Sequence, residues 1–270
     1  MTQLLEVREA EFGAADSPIG FITQGGGHWE VWDRYLTLDG KPAFHIGNIC
    51  NTCNYFFERL DGANRSLSQD EAITALTNGI KSVADPAVET LARVLPRSDY
   101  AATLLFARPQ LTVPGSATDY FAHELIDLWG LDKFWGLPHH PRTEYYRAGD
   151  TPIGDAGRIY EFVVPMFPHG WLAPERVAQY ASACQQDSLP TAFAISVLDV
   201  KQSAQWDEES PVTEHWCLAH YLLDGHHKLF AAAQGGHPLT LLSYLAVNHG
   251  ISTSEQVSRL LIALRGNAAP

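Results

Sequence analysis

The sequence predicts a mixed α+β fold, because apolar runs of strand length alternate with segments that carry helix signals. Residues 216–223 and residues 239–247 are mostly apolar and have the length of strands. Residues 226–234, which lie between these two runs, are rich in good helix formers. Near the other end of the chain, residues 28–38 alternate apolar and polar side chains before Asp39-Gly40, a pattern typical of a β-hairpin.

The N-terminal half, residues 1–150, is predicted to be an α+β region built on this hairpin and several helices. Ser68 and Glu71 have the spacing of a capping box, and Asp85-Pro86 combines an N-cap residue with a proline at the first helical position. Residues 6–23 are weakly patterned and give no firm element. The elements predicted after the first hairpin strand are a strand at 43–49, helices at 68–83 and 85–95, a strand at 100–106 and a helix at 119–129.

The C-terminal half, residues 151–270, is predicted to form a second domain. Residues 147–157 are rich in Gly, Asp and Pro, so they are the best candidate for a boundary, although the same composition also suits a long surface loop. The predicted elements are strands at 158–166, 191–198, 216–223 and 239–247, and helices at 174–184, 226–234 and 252–265.

The composition narrows the class of protein. A hydrophobic content of 46% and a charged content of 18% are ordinary for a globular protein. The net charge of −13 argues against a nucleic-acid partner, because affinity for DNA comes mainly from neutralising phosphates with Lys and Arg. The chain opens without a signal-peptide pattern, and no apolar run reaches membrane-spanning length, so we expect a cytoplasmic protein that acts on a small molecule. The oligomeric state stays open.

Cys50 and Cys53 form a Cys-x-x-Cys motif after the predicted strand at 43–49. Two thiolates at this spacing can bind one metal ion, and His45 is near enough in sequence to be a further zinc ligand. The pair can also be a redox centre at the start of a helix, which residues 54–60 would supply. A third reading is that both cysteines are plain buried thiols, since free cysteine packs well as a small hydrophobe.

The segment from Asp224 to Lys228 reads Asp-Gly-His-His-Lys and lies between a predicted buried strand and a predicted helix. Gly225 permits the sharp turn between the two elements. The first turn of a helix offers unpaired backbone N–H groups and the positive end of the helix dipole. With the imidazoles of His226 and His227 and the ammonium of Lys228 added, these groups predict a phosphate or carboxylate site.

A purely structural role for the same residues is the competing interpretation. His226 and His227 would then satisfy backbone groups, and Lys228 would point to solvent. Asp224 favours the binding interpretation, because a carboxylate beside three potential cations can bind a metal ion that carries phosphates or fix the tautomer of an imidazole.

Residues 162–247 resemble the ParB/sulfiredoxin-like superfamily. The resemblance lies in the order of elements and in a box that binds nucleotide phosphates in that superfamily. The box reads approximately Gly-Glu-Arg-Arg in ParB, Gly-Cys-His-Arg in sulfiredoxin and Asp-Gly-His-x-Arg in the ParB-like free serine kinases. Asp224, Gly225 and His226 match the kinase form, and Lys228 stands where that form has Arg. Lys binds a phosphate as a point charge without the bidentate fork of Arg.

The resemblance implies a nucleotide-dependent phosphotransferase or phosphohydrolase that uses a nucleoside triphosphate with Mg²⁺. Gly225, His226, His227 and Lys228 would hold the phosphates, and Asp224, His226 and His227 are the candidate catalytic residues. The early strands of the related kinases supply an acidic residue, and Glu161 is the nearest match, although an exposed strand carboxylate is the simpler expectation for it. The alternative function is a non-catalytic regulatory or scaffold protein that binds a nucleotide or a metal.

Overall fold

The computed structural model describes residues 2–26, 28–64, 70–131, 141–184, 190–204 and 211–266, apart from the side chains of 70–73. The predicted capping box at 68–71 therefore lies outside what is described. The strands are β1 Gln3–Phe12, β2 Ile19–Gly26, β3 Trp29–Leu38, β4 Lys41–Asn48, β5 Glu58–Arg59, β6 Ser98–Ala107, β7 Gln110–Leu111, β8 Tyr146–Ile153, β9 Gly157–Val164, β10 Thr191–Gln202, β11 Glu214–Asp224 and β12 Leu239–Ala246. The helices are α1 Asp70–Asn78, α2 Pro86–Ala92, α3 Glu124–Trp129, α4 Pro174–Ala183, α5 His226–Gly235 and α6 Ser254–Gly266.

Helices and strands share the fold, so the prediction of a mixed α+β class is confirmed. The described strands form an eight-stranded sheet in the order β1-β6-β12-β10-β11-β9-β8-β7 and a four-stranded sheet in the order β2-β3-β4-β5. In the large sheet, β10 runs parallel to β12 and β11 runs parallel to β9. The β10–β11 pair is an antiparallel hairpin. Helix α4 joins β9 to β10 and helix α5 joins β11 to β12, so each connection passes over one strand of this hairpin.

The large sheet takes strands from both sides of the boundary predicted at residue 150. Strands β1 and β6 come from the N-terminal half and pair next to β12. The predicted loop at 147–157 contains most of β8. Pro152 is tolerated in this strand because it lies beyond Tyr146 and Arg147, the two residues of β8 that pair with β7, so no described strand pairs with it on that side.

The two ends of the large sheet lie close together, which indicates that the sheet is strongly curved. Only Arg108 and Pro109 separate β6, near one end, from β7 at the other end. The Thr2 hydroxyl, beside β1, donates a hydrogen bond to the Ala148 carbonyl in β8 over 3.0 Å.

The two faces of the large sheet bury two hydrophobic clusters. One face packs against the small sheet through a group of aromatic rings, among them Phe57 and Phe162, whose centroids are 5.8 Å apart. The other face packs against α5 and α6 through leucines such as Leu229 and Leu260. Strand β9 supplies both faces, because successive side chains of a strand point in opposite directions.

The local predictions hold best around the hairpins and the last elements. The 28–49 hairpin and the elements predicted between residues 158 and 266 are present, with ends shifted by a few residues. Residues 6–23, whose weak pattern predicted no element, contain most of β1 and the first part of β2. The prediction was wrong for 54–60, which form an extended segment with β5 instead of a helix. None of the described helices combines the length and apolar content needed to cross a membrane.

Candidate functional site

The candidate site lies where β11 turns into α5. Gly225 is the N-cap residue of α5 and has a left-handed backbone with φ of 97°. A Cβ atom at this position would lie 2.8 Å from the Cβ of Ala192 in β10. Glycine is required here for two reasons, since other residues rarely adopt this φ and the neighbouring strand leaves no space for a side chain.

His226 is buried and neutral. Its Nε2 atom accepts a hydrogen bond from the backbone N–H of Met166 over 3.0 Å, and its ring stacks on Phe167 with centroids 4.0 Å apart. Burial lowers the pKa of His226 to about 3. An imidazole in this state is not a cation at neutral pH, so its function here is to tie the start of α5 to the segment after β9.

His227 is half-buried and also accepts a backbone hydrogen bond. Its Nε2 atom accepts from the N–H of Ala173, just before α4, over 3.2 Å. Burial lowers the pKa of His227, and the nearby Arg176 guanidinium lowers it further. Because a neutral imidazole that accepts at Nε2 carries its proton on Nδ1, the Nδ1–H of His227 is the donor available to another group.

Lys228 and Asp224 face each other across the turn, with Nζ and Oδ1 3.8 Å apart. The Lys228 ammonium is buried and donates to the Thr191 carbonyl over 3.0 Å. Burial lowers its pKa to about 8, although the Asp224 carboxylate opposes the change. Burial raises the pKa of Asp224, and the charges of Lys228 and Arg176 act in the other direction.

A cavity of about 90 Å³ opens at this turn. This volume suits a phosphate-sized group and is far below the roughly 300 Å³ of small-molecule pockets. Its charged lining residues are Asp224, Lys228 and Arg176. Arg176 lies exposed in the first turn of α4 and reaches the site because α4 packs against α5. The sequence did not point to Arg176, since its proximity depends on helix packing.

Glu161 is buried, contrary to the expectation of an exposed strand carboxylate, with 1% of its surface accessible. The Glu161 carboxylate occupies the space that Gly149 in β8 leaves free, because a Cβ at Gly149 would overlap this carboxylate. Burial raises the pKa of Glu161 to about 7, although the hydroxyl of Thr2 favours the charged form. Glu161 does not line the cavity beside α5.

Cys50 and Cys53 are joined by a disulfide bond. In this state neither sulfur is a thiolate that could bind zinc. His45 interacts elsewhere, since its Nε2 atom lies 3.0 Å from Asp33 Oδ1 and its ring stacks on Tyr35. Within the described ranges, no three His, Cys, Asp or Glu side chains are grouped closely enough to hold a metal ion. Zinc binding by Cys50, Cys53 and His45 stays a prediction that requires the reduced pair.

Comparisons with known proteins add no relative. The chain matched no model in a scan of protein families, no protein in a search of curated proteins, and no structure in a search of solved structures. Any assignment of function therefore rests on the residues and geometry of the chain itself.

Proposed function

We propose that the cavity at the start of α5 binds a phosphate group of a small molecule, and that the protein is a nucleotide-dependent phosphotransferase or phosphohydrolase. The observation that carries the proposal is the convergence of Lys228, Arg176 and the N-terminus of a ten-residue helix on a cavity of phosphate size. The resemblance of the Asp224–Lys228 box to the ParB/sulfiredoxin-like superfamily supports the same proposal.

The two cations would contribute differently to phosphate binding. Arg176 is exposed at the rim and makes no ion pair with the described acidic residues, so its guanidinium is available to a ligand. Lys228 is fixed in the wall by Thr191 and would act as a point charge. Gly225 lets the backbone approach the ligand closely, and the Nδ1–H of His227 would be a further donor.

Asp224 is the carboxylate of the described cavity lining, which suits Mg²⁺ binding by one protein oxygen together with phosphate oxygens and water. A bound Mg²⁺ would supply charge neutralisation on the nucleoside triphosphate. His226 would hold the turn in position, and catalysis would come from positioning and electrostatic stabilisation by the cavity residues. The base and sugar of a nucleotide would lie outside the cavity, next to Phe167 and Tyr180 at its edge.

The test is calorimetric titration of inorganic phosphate, ATP and CTP, each with and without Mg²⁺. We expect Arg176→Gln to weaken phosphate binding by roughly 10- to 100-fold, because hydrogen bonds to a charged group contribute roughly 1.5–3 kcal/mol. The matched control is Arg93→Gln, which removes an exposed arginine near the end of α2, and it should leave the affinity unchanged. Absence of phosphate binding to the wild-type protein, or equal affinities in both variants, would refute the proposal.

A second candidate is a non-catalytic nucleotide-binding or metal-binding regulatory protein. The observation that favours it is that His226, His227 and Lys228 already have backbone partners, so none of the three is placed as a free catalytic base. Single-turnover assays with labelled ATP separate the two functions. Binding without release or transfer of the γ-phosphate identifies a binding protein, and phosphate release that Arg176→Gln slows identifies the enzyme.

A further inference from the structure

The loop that carries Cys50 and Cys53 is held in place by three consecutive backbone carbonyls. The Cys50 carbonyl accepts from Lys201 Nζ over 2.5 Å, and the Asn51 carbonyl accepts from the backbone N–H of Gln202 over 2.9 Å. The Thr52 carbonyl accepts from the indole N–H of Trp129 in α3 over 3.3 Å. These donors belong to β10 and α3, so two separate elements fix the loop.

This anchoring favours a disulfide that opens and closes again without rearrangement of the loop. The Cα atoms of Cys50 and Cys53 are 5.4 Å apart, within the ordinary range for a disulfide. None of the three anchoring hydrogen bonds uses a cysteine sulfur, so each can persist when the bond is reduced. Both cysteines are half-exposed and accessible to a small thiol, whereas Cys184 and Cys217 are buried thiols.

The two sulfurs of the pair have different surroundings. The Thr52 hydroxyl lies 3.3 Å from Cys50 Sγ and can donate a hydrogen bond to it. A donor at this position stabilises Cys50 as a thiolate, and a more stable thiolate is the better leaving group in disulfide exchange. Cys50 is therefore the sulfur that leaves, and Cys53 is the sulfur that an incoming thiol attacks.

We propose that the Cys50–Cys53 pair is a redox centre that exchanges its disulfide with low-molecular-weight thiols. A thiolate attacks Cys53 Sγ and forms a mixed disulfide, and the electron pair of the broken S–S bond goes to Cys50 as a thiolate. A second thiolate attacks the small-molecule sulfur of the mixed disulfide and releases Cys53 as a thiolate. Two small thiols are thereby oxidised to one disulfide, and the protein pair gains two electrons. This activity is independent of the phosphate cavity.

The experiment uses the full chain purified without chelator or reductant, with glutathione as the thiol. Alkylation of the native protein, read by intact mass, should label neither Cys50 nor Cys53 before reduction and both after it. Rapid alkylation during the reaction, followed by peptide mapping, should find glutathione on Cys53 and the alkyl label on Cys50. Thr52→Val should slow reduction about fivefold, the effect of losing one hydrogen bond of ordinary strength.

The matched control is Thr23→Val, which makes the same change at an exposed position of β2 and should leave the rate unchanged. The proposal is overturned if both thiols of the untreated protein are freely alkylated and oxidised glutathione does not join them. It is also overturned if the protein carries one equivalent of zinc that is lost in Cys50→Ala. Glutathione trapped on Cys50, or an unchanged rate in Thr52→Val, overturns the assignment of Cys50 as the leaving sulfur.

Discussion

Glu161 shows how one buried carboxyl group couples stability to pH. It lies on β9 opposite Gly149, and both of its carboxylate oxygens are buried. Burial in apolar surroundings favours the neutral form, which is why its pKa rises to about 7. In the unfolded chain the same group ionises near its ordinary value, so the folded state binds this proton more tightly.

We predict that Glu161→Gln stabilises the protein at pH 8 and has a much smaller effect at pH 4. A group with a raised pKa contributes stability below its unfolded value of about 4.3, and that contribution is lost as pH rises through about 7. Gln cannot ionise, so the variant avoids the cost of a buried charge at pH 8, on the order of 3–4 kcal/mol. The measurement is urea unfolding at both pH values. A variant that is less stable than wild type at pH 8 would contradict the prediction.

The sequence did not reveal the burial of Glu161, because one strand alone does not show which neighbours cover it. Period two in residues 158–164 places Glu161 on the same face as Ile159 and Val163, so the only sequence argument for exposure was the charge of the side chain. The burial depends on β8, β11 and Thr2, which enclose the carboxylate, and both β11 and Thr2 come from distant parts of the chain.

At the scale of single elements, the turn between β11 and α5 is set by Gly225, and the end of α5 is set by Gly236. Both glycines have left-handed backbones, with φ of 97° and 66°. A Cβ at Gly225 would press on Ala192, whereas a Cβ at Gly236 would meet open space. The two positions therefore separate the cost of backbone conformation from the cost of crowding.

We predict that Gly225→Ala destabilises the protein much more than Gly236→Ala does. The second substitution should cost about 1 kcal/mol for the left-handed backbone, and the first adds roughly 1–3 kcal/mol for overpacking against β10. Chemical denaturation of both variants measures the difference, with Gly236→Ala as the matched control. Equal losses of stability would show that the contact with Ala192 is relieved at little cost.

Local signals explain which elements were predictable. The turn at Gly225, the hairpin at Asp39-Gly40 and the N-cap at Asp85 each depend on neighbouring residues, and Asp85 accepts a hydrogen bond from the N–H of Ala87 as its type predicts. Strand β1 has no such signal, because it is an edge strand with a charged, exposed face that is stabilised by pairing with β6. Residues 54–60 alternate buried and partly exposed side chains around Tyr55 and Phe57 in the structure, but Phe56 between them is also aromatic, so the sequence shows no period-two pattern that would identify the extended segment.

At the scale of the whole molecule, a buried ion pair joins the small sheet to the large one. Arg34 in β3 contacts Asp199 in β10, and both side chains are at least nine-tenths buried. The other Arg34 donors bind the backbone carbonyls of Asn48, His249 and Ile46, and Asp199 also accepts from the backbone N–H of Ile251. Asp199 also lies 3.8 Å from the buried Lys201 ammonium. Together these partners offset much of the cost of burying the charges.

We predict that Asp199→Asn destabilises the protein by about 3–5 kcal/mol, because it leaves the Arg34 charge buried without a counter-ion. Urea unfolding should still show one transition, since the large sheet takes strands from both halves of the sequence. The control is Glu11→Gln, which breaks the exposed pair with Arg97 and should leave the midpoint unchanged. Two separate transitions, or a loss no greater than that of the control, would contradict the prediction.

Long-range packing also limits how much of the site the sequence could predict. The turn from Asp224 to Lys228 is predictable from its own residues, because a strand, a glycine and the start of a helix are adjacent in the chain. The partners of that turn were not predictable in the same way. Arg176 and the carbonyl of Thr191 reach it only when α4 and β10 pack around α5.

The central position of β12 has a consequence for how the molecule is made. Until β12 leaves the ribosome, no described strand pairs with both β6 and β10, so nothing in the described sheet joins the β1–β6 pair to the strands from β10 to β7. The nascent chain therefore exposes an unpaired edge on β6 and another on β10, and strands of other chains can form backbone hydrogen bonds with these edges. We expect slow, chaperone-dependent maturation, as is typical of proteins whose final contacts link residues far apart in sequence.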